Sequence, residues 1–399
     1  MSSPVTPSAL PQRLLYSISA RLGGYGLDSD SFEALRASHR AGILAKAVAY
    51  DNRQREIPRA LITSLRWHPV RLLSFLGSAH YYGAKKHALD RFTRGQLPRG
   101  AFDLFHSWSG DCLLTLREAR ARGIPSVLEI PTWHRNKGKI KPALTKTERE
   151  KLADPLHRRV LHSCLVSRQQ VMEEYDLASL ILVLSEKAAE TFTIAGVPRE
   201  KLFLLPRGTD TARFTPGPPP PLFRAVYTGA LLRRKGVHVL LEAWHRLALK
   251  DAELVLVGTV HPEIQPALDR FAGPTVKVAG FAPRPEDHYR QASVHIFPSS
   301  CEGSAKVTYD AAACGLAQIT TRESGDAVVD GVTGLVVPPE NPDALAAAIE
   351  HLHARPELLA TMGAAARTRM VENFTWEHYR QRLLTAYAQA ARSLAGRAD

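Results

Sequence analysis

Cysteine is scarce in this chain. Cys112, Cys164, Cys301 and Cys314 are spread over 399 residues, and no two have Cys-x-x-Cys spacing. That argues against a disulfide framework and against a structural zinc site, and a reducing compartment is the simple expectation. Long apolar runs are also missing. No stretch approaches the ~20 uninterrupted residues that a spanning helix needs. The opening MSSPVTPSALPQR has no basic start followed by an apolar core, so no signal peptide is expected. These absences point to a cytoplasmic protein, soluble or resting on a membrane surface. Disorder is excluded by composition, 45% apolar and 23% charged.

Positive charge is what the chain has in excess, and it is localised. The net charge is +13; residues 52–100 contribute +8 and residues 134–159 contribute +6, so the remainder is near neutral. A basic surface of this kind fits a phosphate, an anionic lipid or a nucleic acid, with a merely solvated face as the bland alternative. No nucleic-acid motif accompanies it, so nucleic acid is not expected as a partner.

Strand, glycine and helix signals alternate along the chain. LLYSISA (14–20) reads as a strand running into Gly23-Gly24, with a helix from Asp28. FDLFHSW (102–108), PSVLEI (125–130), LASLILVLS (177–185) and KLFLLPRG (201–208) read as further strands, with helices at 113–123 and 186–196. PGPPPP (216–221) favours an extended connector. A second series follows: strands near 223–230, 252–258, 276–281, 293–300, 317–321 and 334–338, and helices at 236–248, 262–271, 305–314 and 342–354. Residues 376–394 read as an amphipathic terminal helix. Strands apolar through their middles suit parallel sheets covered on both faces. The expected architecture is α/β, with lobes 1–215 and 223–374, linker 216–222, and helix 375–399 belonging with the first lobe.

Two stretches of the second lobe suit a diphosphate. TGALLRRKG (228–236) places Arg233, Arg234 and Lys235 at a strand end, where cations grip phosphate; the alternative is an exposed basic turn. In SSCEGSAKVTYDAAACG (299–315), Glu302-Gly303-Ser304 makes a turn before a helix starting near Ala305 and Lys306. Amides at such a start attract anions. Glu302 and Asp310 stand eight positions apart, able to hold two polyols around one phosphate, the order of ribose, diphosphate and sugar.

These stretches resemble the retaining glycosyltransferases of family four, glycosyl transferases group 1, which have the GT-B fold of two Rossmann-like α/β/α domains facing across a cleft. VYTGALLRRKGVHVLLEAW, FPSSCEGSAKVTYDAAACG and VVDGVTGLVVPPENPDAL carry the likeness, together with LASLILVLSEKAAETFTIAGVPREKLFLLPRGTDTARFTP in the first lobe. FTWEHYRQRLLTAY resembles the helix that crosses back to the first domain. The resemblance implies that Glu302, Gly303 and Ser304 meet the donor sugar and that Asp310 meets the ribose. It puts Arg233, Arg234, Lys235, Ala305 and Lys306 at the diphosphate, and Gly258 and Phe281 near the nucleobase. Gly23 and Gly24 form the first-lobe loop, or else a plain turn. His134, after Glu129, is catalytic or else structural. The family's second Glu is Asp310 here, and its Arg is Ala230, with Arg234 or Arg233 as replacements.

The implied reaction moves a sugar from a nucleotide-diphosphate-sugar to a glycan or lipid-linked acceptor, with no cofactor. No divalent ion is needed if Lys235 and Arg234 neutralise the leaving group. Envelope or exopolysaccharide synthesis is the expected pathway. Alternatives are a sugar-nucleotide epimerase of the same fold and a non-catalytic nucleotide-sugar-binding protein. The mixture of Arg, Lys and His with Trp67, Leu72, Leu73, Phe75, Leu76, Tyr81 and Tyr82 in residues 52–100 suits an anionic membrane surface, or else a helix packed on the first lobe.

Overall fold

In the computed structural model, which describes residues 10–23, 27–75, 78–136 and 164–395, chain order becomes sheet order twice. Two units are formed. The first comprises Met1–Val183, Ala189–Leu205 and Arg380–Asp399; the second comprises Leu184–Ala188 and Pro206–Tyr379.

The first unit holds a seven-stranded sheet of β1 (Leu14–Leu22), β2 (Leu44–Asn52), β3 (Ile62–Ser64), β4 (Leu104–Trp108), β5 (Ser126–Glu129), β6 (Leu180–Val183) and β7 (Leu202–Leu204). The order is β3-β2-β1-β4-β5-β6-β7, and every pairing is parallel. All residues of β4, β5 and β6 are buried, as strands with both faces covered must be. The end of the terminal helix Trp376–Ala395 completes this core: Leu383 and Tyr387 are fully buried, and the Tyr387 hydroxyl lies 2.8 Å from His106 Nδ1.

The second unit holds β8 (Phe223–Thr228), β9 (Ala252–Val257), β10 (Val276–Gly280), β11 (Val294–Phe297), β12 (Ala317–Thr320) and β13 (Gly334–Val336). Their order is β10-β9-β8-β11-β12-β13, again parallel. Its helices present apolar stripes to the sheet. Val237, Leu240, Leu241 and Trp244 of the helix Val237–Leu247 follow helical spacing and are buried in one cluster with β8 and β9. The proline run lies inside this unit. A Cβ at Gly217 would meet the Arg290 carbonyl at 2.2 Å, so the connector is pressed against the second sheet's own loops.

Both sheets therefore diverge from one central pair, β1 beside β4 and β8 beside β11. The crevice beyond the carboxyl ends of such a pair is where ligands bind in open α/β sheets. In the second unit the turns after β8 and β11 are the two stretches singled out by their chemistry.

Several elements go beyond the sequence reading. β2 and β3 were not expected, and neither were the helices Arg168–Leu177, Pro285–Tyr289 and Pro356–Asn373. β2, LAKAVAYDN, is alanine-rich and carries Lys46, so it lacks a β-branched run. The helix Pro356–Asn373 buries Met362, Gly363, Ala366 and Met370 on one face, but Gly and Ala there are weak apolar markers, and Val371 is exposed. No helix among the described residues is long and apolar enough to cross a membrane.

Candidate functional site

Two close backbone approaches build the site in the second unit. β8 runs into Gly229, φ +134°, and β9 into Gly258, φ +152°. A Cβ on Gly258 would stand 1.9 Å from the Gly229 carbonyl oxygen, so this strand end admits glycine alone. Residues Arg233–Lys235 then form one 3-10 turn, closed by Gly236 at φ +71°. A Cβ there would lie 2.0 Å from the Pro298 carbonyl. The turn after β8 is thus set directly on the turn after β11. Hydrogen bonds lock them: the Ser300 amide and the Ser299 and Ser300 hydroxyls donate to the Arg234 carbonyl at 2.9, 3.1 and 3.0 Å.

That packing brings three predicted residues together. Arg234 Nη1 and Lys235 Nζ lie 2.9 and 3.3 Å from the same Glu302 oxygen, and Arg234 also donates to the Cys301 carbonyl. Lys235 stands over the Phe297 ring at 5.1 Å. Arg233 is exposed, and its amide donates to Glu263 at 2.9 Å. Ala230 contributes its carbonyl to the Tyr227 hydroxyl at 2.9 Å.

The following turn is held from three directions. Ser185 Oγ donates to the Gly303 carbonyl at 2.6 Å, and Arg207 Nε to the Ser304 carbonyl at 2.8 Å. The amides of Glu302 and Ala305 donate to Glu323 and Ser324 carbonyls at 2.9 and 2.8 Å. Ser304 is buried with its hydroxyl 2.9 Å from the Tyr309 hydroxyl. The helix Lys306–Ala313 starts at Ala305, whose side chain cannot accept a hydrogen bond, so its first amides have no side-chain cap. Farther along that helix, buried Asp310 accepts from Thr209 Oγ1 at 2.7 Å and lies 3.6 Å from Lys306 Nζ. Lys306 also sits 5.0 Å over the Trp376 ring. Burial lowers the pKa of the Arg207 guanidinium, which has Glu302 and Asp310 nearby as opposing charges. Gly258 and Phe281 stand at adjacent strand ends; the Gly258 amide donates to Gly280 at 2.7 Å, and Phe281 is exposed.

The remaining candidates belong to the first unit. Gly23 has φ +82°, and a Cβ on it would lie 3.0 Å from the Gln54 amide nitrogen. Gly24 and most of the second basic segment, residues 137–159, lie outside the described residues. Buried Glu129 lies 3.4 Å from His106 Nε2. His134 is buried between Tyr175 and Phe192, ring centroids 5.0 and 4.9 Å away. Its amide donates to Thr191 Oγ1 at 2.9 Å, and its Nδ1 accepts from the Asn136 amide at 3.1 Å. Burial lowers its pKa to about 4, so the ring is neutral at pH 7 with its proton on Nε2.

Beyond β4 lies a cavity of about 420 Å³, lined among others by Lys86, Asp90, Arg91, Arg117 and Glu174. Glu174 accepts from the Gly110 and Cys112 amides at 2.5 and 3.2 Å, and burial pushes its pKa up to about 8. Lys86 pairs with Asp111 at 2.7 Å. Among the described residues, no three His, Cys, Asp or Glu side chains gather as a metal site.

Ser185, Arg207 and Thr209 escaped the sequence reading. Each acts on the Glu302–Asp310 stretch from roughly a hundred positions away in sequence, and no local spacing announces that.

A family profile described as "Glycosyl transferases group 1" matches residues 223–355. The matched residues lie within the second unit. The chain is 32% identical over 259 residues to D-inositol 3-phosphate glycosyltransferase of Kribbella flavida, across 58% of this chain and 60% of that one. It thus spans less than two thirds of that relative's length. Sucrose-phosphate synthase from Thermosynechococcus elongatus matches with TM-score 0.67 and 20% identity, over 92% of this chain and 96% of that one. Anabaena HepE in complex with UDP-glucose matches with TM-score 0.64 and 16% identity, over 96% and 99%. At such identities these likenesses bear on the fold, which is GT-B.

Proposed function

We propose that the chain transfers a sugar from a nucleoside diphosphate sugar to a glycan or lipid-linked acceptor, with retention at the anomeric carbon and without a divalent ion. The observation that carries this reading is the meeting of Arg234 and Lys235 with Glu302 beyond the carboxyl ends of β8 and β11. Charge builds on the leaving diphosphate as the anomeric bond breaks. The two cations and the uncapped amides at the start of Lys306–Ala313 stabilise it there. Glu302 then turns from its cations to the sugar hydroxyls, and Asp310 accepts from the ribose. Gly258 and Phe281 flank the base.

On the first unit, the cavity beyond β4 takes the acceptor. Its lining balances cations with carboxylates, Arg117 paired with Glu173 and Lys86 with Asp111, which suits the hydroxyls of a polar acceptor. Envelope or exopolysaccharide synthesis at the cytoplasmic face is the setting we assign. Ala230 favours a second reading, a donor-binding protein without transfer, since it removes a cation from the grip.

The test is donor binding and hydrolysis over a panel of nucleotide sugars, for the wild type and for Lys235→Ala, Glu302→Ala and Asp310→Ala. Selective binding of one donor, with Lys235→Ala losing the nucleoside diphosphate, supports transfer. Binding with neither hydrolysis nor transfer to any acceptor selects the second reading. Binding of no donor rejects both.

A further inference from the structure

Outside the proposed reaction, three large side chains are exposed among the described residues of 57–94: Trp67 is 88% exposed, Leu72 77% and Tyr82 55%. Between the 3-10 segment Pro69–Phe75 and the helix Ser78–Arg94 runs a groove of about 760 Å³, walled by Val70, Leu72, Leu73, Ala84, Ala88 and Phe92. Isolated exposed apolar residues are ordinary; a cluster beside an apolar groove is not.

The surround is positive. His68, His87 and Arg91 line the groove, and the Arg66 guanidinium stands 5.5 Å over the Trp67 ring. Residues 57–75 contain Arg59, Arg66, His68 and Arg71 and no Asp or Glu. Asp90 is the one carboxylate of the helix Ser78–Arg94, and it is buried, accepting from the Leu114 and Thr115 amides at 2.7 and 2.9 Å. Asp51, 3.9 Å from Arg71, is buried too. These nearby carboxylates are turned inward; Arg71 leans in with them, its guanidinium 4.5 Å over the Tyr50 ring, while Arg66 and Arg91 stay exposed.

We propose that this face docks on an anionic lipid bilayer, with an acyl chain entering the groove, Trp67 and Tyr82 at headgroup level, and Arg66 and Arg91 against lipid phosphates. Charge complementarity singles out this occupant. A nucleic acid would match the arginines and leave the groove empty, whereas an anionic lipid matches both in one molecule. Aromatic rings with a polar edge favour the membrane–water boundary. The inference is independent of sugar transfer, because docking is measured with no nucleotide sugar present.

The experiment is co-sedimentation of the full chain with phosphatidylcholine vesicles and with vesicles that also contain phosphatidylglycerol. The expected result is partition to the mixed vesicles only, weakening as salt rises. Brominated acyl chains should quench tryptophan fluorescence, and Trp67→Phe should abolish the quenching. The pair Trp67→Ala with Leu72→Ala, and the pair Arg66→Gln with Arg91→Gln, should each weaken partition about tenfold or more, with unchanged circular dichroism. Absence of partition, equal partition to neutral vesicles, or unaltered partition of both double variants would each overturn the proposal. So would a chain that binds single-stranded nucleic acid but not the mixed vesicles.

Discussion

Lys235 Nζ lies 3.3 Å from the Glu302 oxygen that Arg234 also approaches at 2.9 Å. One carboxylate is balancing two cations where a diphosphate would need them. A diphosphate carries the same sign and more charge, so it competes with Glu302. Glu302→Ala should therefore bind a free nucleoside diphosphate tighter, by about threefold to tenfold, while transfer of the sugar falls about 100-fold. Calorimetric titration and steady-state rates measure the two effects. Weaker diphosphate binding in the variant would show that Glu302 positions the cations rather than competing for them.

The two cations should not be equal. The Lys235 side chain is 18% exposed and that of Arg234 is 45% exposed, so solvent screens Lys235 less. Lys235→Ala should weaken diphosphate binding about 10- to 100-fold, Arg234→Ala less, and Arg233→Ala hardly at all. The same titration, run at two salt concentrations, ranks them. A loss on Arg233→Ala as large as on Lys235→Ala would place the phosphate elsewhere on the turn.

Asp310 offers one oxygen to Thr209, and in the proposed reaction the other accepts from the ribose. Asp310→Asn keeps an acceptor for Thr209, so unfolding in urea should change little. Nucleotide affinity should fall about tenfold, and the preference for ribo- over 3′-deoxynucleotide should shrink with it. An undiminished ribose preference would remove Asp310 from that role.

Gly236 combines a left-handed backbone with a carbonyl standing where a Cβ would go. Gly236→Ala should lose about 2–4 kcal/mol of stability in urea unfolding, along with diphosphate affinity, because the Arg234–Lys235 turn must lift off Pro298. Unchanged stability would mean that the loops separate at little cost.

Glu174 gives a pH dependence of defined sign. Its pKa is raised in the fold to about 8 by burial. The folded state therefore holds a proton that the unfolded chain releases near its ordinary value of 4.5. The stability this brings is full below pH ~4.5 and is lost as pH rises towards 8. Glu174→Gln has no proton to lose. The unfolding midpoint of the wild type should fall relative to that variant between pH 5 and 8, and parallel profiles would show that Glu174 is ionised throughout.

Much of the second unit could be read from the residues alone. Its strands are short apolar runs bounded by glycine or proline, and the stripe Val237, Leu240, Leu241, Trp244 announces its helix. The meeting of Arg234, Lys235 and Glu302 was foreseeable as neighbouring turns of one crevice. What escaped lacked a local signal. β2 dilutes its apolar residues with alanine and Lys46, and the helix Pro356–Asn373 lines its buried face with Gly363 and Ala366 as well as Met362 and Met370. Ser185, Arg207 and Thr209 reach the site through folding, so spacing could not show them. Burial, too, was hidden: the Ser304 hydroxyl turns inward to Tyr309.

The terminal residues 380–399 belong to the first unit, where fully buried Tyr387 meets His106 and the latter's ring stands edge-on to Tyr16. A ribosome makes β1 to β7 early and this helix only after β8 to β13. Domains ordinarily mature in the order in which they emerge. Here the half that emerges first keeps an open seam over Tyr16 and His106 until the whole second sheet has been made and this helix follows it. The half that is born second is the first able to finish.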